Sequence, residues 1–188
     1  MLAFFCIFEN IKQLDKESRE LVQSWKDSWP KFAREVLKAN LDPQMEEILY
    51  AVQHNRRVSC ASGTARGKDY LASVVSVCAL LLTPEWDDNG VLHTSMVINT
   101  APSDRQVKNI MMREVKSRYA GSMLSKLKQF GFDSGRLTAD GVKFDMPKQH
   151  KDNPAYADIE KWYMLAFKSD DTNTESWTGF HSQYPTII

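Results

Sequence analysis

The sequence has no excess of charge of either sign. Its 188 residues include 24 Lys and Arg residues and 24 Asp and Glu residues. A chain with balanced charge carries no bulk field that would draw it as a whole towards nucleic acid or an anionic membrane. Any contact with DNA must therefore come from a local patch of positive side chains.

Cysteine is scarce. Cys6, Cys60 and Cys78 are an odd number, and they have no Cys-x-x-Cys or Cys/His spacing. The four histidines have no metal-ligand spacing either. This pattern does not indicate a zinc site, and it suits a reducing compartment.

The sequence also lacks the features of a targeting segment. Its opening letters, MLAFFCIF, are apolar, but no basic flank precedes them, no small-residue cleavage site follows, and charge appears at Glu9. We predict neither a signal peptide nor a membrane anchor here. A chain of this length with 43% hydrophobic residues can form one hydrophobic core, but it is short for two well-packed domains.

What the sequence does contain is an alternation of helix and strand signals. Helical periodicity dominates residues 1–55, whereas residues 56–188 mix short apolar strands with periodic helices. The predicted strands are RRVSCAS, TSMVINTAPS, WYMLAFKS and YPTII, with an Asp-Gly hairpin in SGRLTADGVKFDM. We therefore expect a helical lead-in over 1–55 and, over 56–188, a three-layer α/β core with a mostly parallel sheet.

The stretch SCASGTARGKDYLA, which runs from Ser59 to Ala72, has the composition of a phosphate-binding loop. A phosphate loop needs a strand end, small residues whose N–H groups converge, a lysine and a helix N-terminus facing the anion. The small residues and the lysine occur here in the required order: Ser62, Gly63, Thr64, Ala65, Gly67 and Lys68. These residues predict a nucleotide site, and a plain strand-to-helix turn is the alternative.

Two letters depart from the usual pattern. Ser62 stands where the first glycine is expected, and Asp69 stands where a Ser or Thr usually coordinates Mg²⁺. The Asp69 carboxylate is a candidate Mg²⁺ ligand, with Lys68 and Arg66 offsetting its charge. Alternatively, Asp69 only favours the start of the helix by its negative charge.

Four motifs in order give the chain a resemblance to a known family. They are WPKFAREVLKANLDPQMEEILYAVQHNRRV, SCASGTARGKDYLA, VINTAPSDRQVKNIMMREV and ESWTGFHSQYPTII. Together they resemble the N-terminal ATPase region of the large terminase subunit of tailed bacteriophages, the motor that packages DNA into the procapsid. The resemblance spans roughly residues 29–188 and implies a P-loop NTPase-like core.

The resemblance also implies ligands and residue roles. It implies ATP and Mg²⁺ as cofactors, with Arg66 as an arginine finger or ATP sensor and Gln44 as an adenine reader. A gapless comparison puts Met45, not Gln44, at the adenine position, and Gln44 as a solvated first-turn residue is the alternative. A solvent-facing side chain is likewise the alternative for Arg66.

The implied partners are double-stranded viral DNA, the portal protein, the small terminase subunit and further copies of the chain, in the host cytoplasm and transiently at the procapsid portal. No membrane partner is implied. Ile187 and Ile188 resemble the first residues of the family's Walker B strand, so its metal-binding Asp and water-activating Glu fall beyond Ile188. We accordingly expect a chain that binds ATP without hydrolysing it efficiently. A non-catalytic nucleotide-binding or assembly fragment and a helicase-like ATPase unrelated to packaging are the alternatives.

Overall fold

The fold is described from a computed structural model. It covers residues 16–61, 63, 67–129, 134–145, 151–169 and 184–188. Within these residues the chain forms six α-helices, one π-helix, one 3-10 helix and seven strands.

Six α-helices follow from the periodic segments of the sequence. They are α1 (Lys16–Asp27), α2 (Trp29–Glu35), α3 (Pro43–His54), α4 (Lys68–Leu82), α5 (Met112–Gly121) and α6 (Leu124–Gln129). Two start where a side-chain oxygen caps the first turn, because Ser28 accepts the N–H of Lys31 and Asp42 accepts that of Met45. None of the helices in these ranges is long and apolar enough to span a lipid bilayer.

Two other helical types occur. Arg105–Met111 forms a π-helix directly before α5, and Pro154–Lys161 forms a 3-10 helix. Together this π-helix and α5 form one helical stretch from Arg105 to Gly121, and its first seven residues are wound more widely than an α-helix. π-Helical turns are rare and are often found at functional sites.

The strands form a five-stranded sheet and a separate two-stranded ribbon. The strands are β1 (Glu85–Trp86), β2 (Leu92–His93), β3 (Ser95–Ala101), β4 (Arg136–Leu137), β5 (Gly141–Lys143), β6 (Tyr163–Lys168) and β7 (Tyr184–Ile187). The larger sheet has the order β4-β5-β6-β3-β7, and β1 pairs with β2. The mixed α/β architecture predicted from the sequence is confirmed.

The sheet is mixed and not mostly parallel as predicted. β3 pairs in parallel with β6 and β7, whereas β5 pairs antiparallel with both β4 and β6. The Asp-Gly hairpin predicted from the sequence is present as β4 and β5. Its position beside β6 is what gives the sheet its antiparallel half.

The strand predicted over residues 56–62 does not form in the described part of that segment. Residues 55–61 contain no strand, and the side chains of 56–61 are exposed. A strand needs a neighbour for its backbone hydrogen bonds, and the sheet order ends at β7 without this segment. The residue types of this segment suit a strand. Among the described strands, however, it has no neighbouring strand to pair with.

One hydrophobic core joins the helices and the sheet. Helix α4 is its centre: it contacts α2, α3 and α5 as well as β3 and β6. Residues 73–82 of this helix are all buried, as expected of a helix covered on every side. The first turn of α4 is more exposed, and it is there that the predicted site lies.

Candidate functional site

The N-terminus of α4 lies towards the carboxyl ends of the parallel strands. Near the C-terminus of α4, the Ser95 hydroxyl at the start of β3 donates to the Leu80 carbonyl at 3.0 Å. Four residues earlier on the helix, a 2.8 Å hydrogen bond joins Ser76 Oγ to Asn99 Oδ1, four residues further along β3. Helix and strand therefore run in opposite directions. The carboxyl edge of parallel strands is where ligands bind in open α/β sheets.

Gly67 makes the turn that starts α4. It is the residue before the helix, its φ of 70° lies in the left-handed region, and its carbonyl accepts the N–H of Leu71 at 2.9 Å. A Cβ built on Gly67 would lie 2.7 Å from Met45 Cε of α3. Glycine is required here for its backbone conformation, and it also allows α3 to approach closely.

A cavity of about 740 Å³ opens beside this turn. Its walls come from α3, the first two turns of α4, residues 55–60 and the carboxyl end of β7. Three cations line it, Arg56, Arg57 and Lys68, and its described lining includes no Asp or Glu side chain. Most of the remaining wall is apolar, so the cavity has the character of a ligand site with a few charged groups at fixed places.

The structure brings some of the predicted site residues together and separates others. Lys68 is exposed and lines the cavity. Asp69 and Gln44 are exposed, but neither is among the lining residues. Met45, one position after Gln44, is the α3 side chain that meets the loop at Gly67.

Part of the predicted loop lies outside the described residues. Ser62, Thr64, Ala65 and Arg66 fall there, so the roles predicted for them stay predictions. Gly63 is described, and a Cβ added to it would meet nothing within 4 Å. The described residues contain no group of three or more His, Cys, Asp or Glu side chains arranged to hold a metal ion.

Two contacts that hold the first turn of α4 were not predicted from the sequence. The Tyr70 hydroxyl accepts the backbone N–H of Asn40 at 2.7 Å, and the Arg118 guanidinium lies 4.3 Å from the centre of the Tyr70 ring. Arg118 is half-buried, whereas Arg113 and Lys116 on the same helix are exposed. No local pattern signals either contact, since the partners are 30 and 48 positions from Tyr70.

Replacing Gly67 with alanine should destabilise the protein by about 1–2 kcal/mol, the cost of a left-handed residue with a Cβ. The new methyl group also requires the Met45 side chain to move. Gly63→Ala is the matched control in the same loop, because its Cβ meets open space and its change should stay within about 0.5 kcal/mol. Urea denaturation of both variants measures the difference in stability. Equal denaturation midpoints would contradict the requirement for glycine at position 67.

A scan against protein-family models and searches of curated proteins and of solved structures found no match to the chain.

Proposed function

We propose that the chain is a nucleotide-binding module whose ligand phosphates bind at the N-terminus of α4. One observation carries the proposal: Gly67 and Lys68 start a buried helix that runs antiparallel to β3, so that its positive end faces the carboxyl edge of the sheet. A helix N-terminus at that edge attracts anions through its free N–H groups and its dipole. Lys68 adds a full positive charge at the same place.

The cavity beside Lys68 supports the same function. Its apolar wall suits the flat faces of a base, while Arg56, Arg57 and Lys68 suit a polyphosphate. ATP with Mg²⁺ is the ligand we propose, since the loop sequence follows the order of a phosphate-binding motif of this class.

We further propose that this module belongs to the ATP-driven motor that packages viral DNA in tailed bacteriophages. The four sequence motifs in their order support this, as does the short β7 strand formed by the last of them. In such a motor the chain would act as several copies with the portal protein, the small terminase subunit and double-stranded DNA. Its place would be the host cytoplasm and the procapsid portal, and its core would be a three-layer P-loop fold.

Protection of Cys60 from alkylation tests nucleotide binding. Cys60 is exposed and lines the cavity with Lys68, whereas Cys78 is fully buried, and this burial raises the pKa of its thiol. Cys78 should therefore stay unreactive towards iodoacetamide in the native protein. In a Cys6→Ser background, Mg-ATP at ten times its Kd should slow alkylation of Cys60 about tenfold.

Adenosine is the control for this measurement. Because it carries no phosphate, it should leave the alkylation rate of Cys60 unchanged at the same concentration. A rate that does not respond to Mg-ATP at any concentration contradicts the proposal. Equal protection by adenosine would assign the cavity to bases and not to phosphates.

A further inference from the structure

The side chain of Tyr70, in the first turn of α4, is held by two other parts of the fold. Its hydroxyl accepts the backbone N–H of Asn40 at 2.7 Å, and its ring centre lies 4.3 Å from the guanidinium carbon of Arg118. Asn40 belongs to the segment between α2 and α3, whereas Arg118 belongs to α5. Tyr70 therefore ties the start of α4 to two elements that are distant from it in sequence.

Both partners of this tyrosine are themselves anchored. Asn40 directly follows Ala39, which is buried. Arg118 directly precedes Tyr119, which is also buried, and the Arg118 side chain is only 15% exposed. The Glu114 carboxylate lies 3.9 Å from the Arg118 guanidinium on the same helix. The hydrogen-bond donor and the cation therefore come from rigid parts of the molecule.

The first turn of α4 needs such an anchor more than the rest of the helix does. Lys68 and Asp69 are exposed, and helix ends fray. The Leu71 N–H donates to the Gly67 carbonyl at 2.9 Å, and the N–H groups that precede this bond have no acceptor within an α-helix. The backbone N–H of Tyr70 is one of these groups. The side chain that anchors the turn thus belongs to a residue at the end of the helix that attracts anions.

We propose that Arg118 is a positioning residue for the nucleotide phosphates. Acting through Tyr70, and together with the Asn40 N–H, it keeps the first turn of α4 formed before the ligand binds. This role rests on the proposed function, because it concerns the affinity of the same helix start. A site that is formed only part of the time binds its ligand with an affinity reduced by the fraction that is formed. Arg118 raises that fraction without touching the ligand.

Isothermal titration calorimetry with Mg-ATP tests this role in Arg118→Gln. Loss of the cation over the Tyr70 ring should weaken binding about five- to tenfold. Arg118→Lys restores a cation above the ring, so it should bind within about threefold of the unmodified protein. A Kd for Arg118→Gln equal to that of the unmodified protein overturns the proposal, and so does a lysine variant that binds as weakly as the glutamine variant.

Arg113→Gln is the matched control, because Arg113 is an exposed arginine on the same helix. Its Kd for Mg-ATP should stay within about twofold of the unmodified value, although it removes the same charge. An equal loss of affinity in both variants would mean that net charge, and not the contact with Tyr70, sets the affinity, and this overturns the proposal. Thermal unfolding without nucleotide establishes that each variant is folded at the titration temperature, so that the Kd reports the site and not the folded fraction.

Tyr70→Phe tests the second contact of the same side chain. It keeps the ring beside Arg118 but removes the hydroxyl that accepts from Asn40. Mg-ATP should bind about two- to fivefold more weakly to this variant. Combining Tyr70→Phe with Arg118→Gln should weaken binding further than either change alone, and a combined variant with unmodified affinity overturns the proposal.

Hydrogen exchange without nucleotide separates this proposal from the proposed function. In Arg118→Gln the Leu71 amide should exchange faster, because its bond to Gly67 opens with the first turn. The amide of Val77, in the buried middle of α4, reports global stability, and the acceleration at Leu71 should exceed that at Val77 at least about fivefold. Equal acceleration overturns this proposal alone. An unmodified protein that does not bind Mg-ATP overturns the proposed function as well.

Discussion

Replacing Lys68 with alanine is expected to weaken nucleotide binding roughly tenfold to a hundredfold. Lys68 is the first residue of α4, it lines the cavity, and it places a full positive charge at the positive end of the helix dipole. A hydrogen bond to a charged group contributes about 1.5–3 kcal/mol, which lowers affinity roughly tenfold to a hundredfold when it is lost. Isothermal titration calorimetry with Mg-ATP measures the change directly.

The control for this prediction is Lys126→Ala. Lys126 is an exposed lysine on α6 and does not line the cavity, so it changes the net charge equally without touching the site. Its Kd for Mg-ATP should match that of the unmodified protein. Equal affinity of Lys68→Ala and Lys126→Ala would mean that the phosphates bind away from α4. Thermal unfolding of both variants separates a loss of binding from a loss of folding.

The elements that the sequence predicted well are those whose signals are local. The helix from Lys68 to Leu82 follows from apolar periodicity and from the glycine before it. The β4–β5 hairpin follows from its Asp-Gly turn, with the Thr138 N–H donating to the Gly141 carbonyl at 2.9 Å. In both cases the residues that decide the structure are neighbours in the chain.

The elements that the sequence did not predict depend on distant partners. Residues 56–61 have strand-like alternation, but no described strand lies beside them. The sheet is mixed because β5 joins β6, a pairing that the hairpin sequence alone does not specify. A strand pattern in the sequence predicts which side chains share a face of the strand. It does not predict which neighbouring strand will accept the backbone hydrogen bonds.

The same limit applies within the candidate site. The order of small residues and lysine predicted where α4 begins, and the structure has Gly67 and Lys68 at that point. Which side chain of α3 meets the loop is a question of helix rotation, and one position turns a side chain by about 100°. Met45 and not Gln44 contacts Gly67. The sequence alone could not decide between them, because Gln44 and Met45 are neighbours in the first turn of α3.

The largest effect on stability is expected at Trp162, which connects the sheet to α4. Trp162 is fully buried, its indole N–H donates to the Leu80 carbonyl at 2.8 Å, and its ring stacks on Phe144 with centroids 3.8 Å apart. Trp162→Ala should lower the free energy of unfolding by about 3–5 kcal/mol, because it leaves a cavity and removes the stacked pair. Domains of this size are stabilised by only about 5–15 kcal/mol in total.

Trp162→Phe separates packing from hydrogen bonding in that prediction. It keeps an aromatic ring beside Phe144 but removes the indole donor, and the Leu80 carbonyl still accepts from the Ser95 hydroxyl. Its cost should therefore be only about 1–2 kcal/mol, well below that of alanine. Urea denaturation followed by far-UV circular dichroism measures both variants, with Tyr50→Ala, at a side chain that is 59% exposed, as a surface control expected within about 1 kcal/mol. If Trp162→Ala unfolds at the same midpoint as Tyr50→Ala, this tryptophan does not hold the sheet on α4, and the antiparallel orientation of helix and strand that defines the candidate site loses one of its supports.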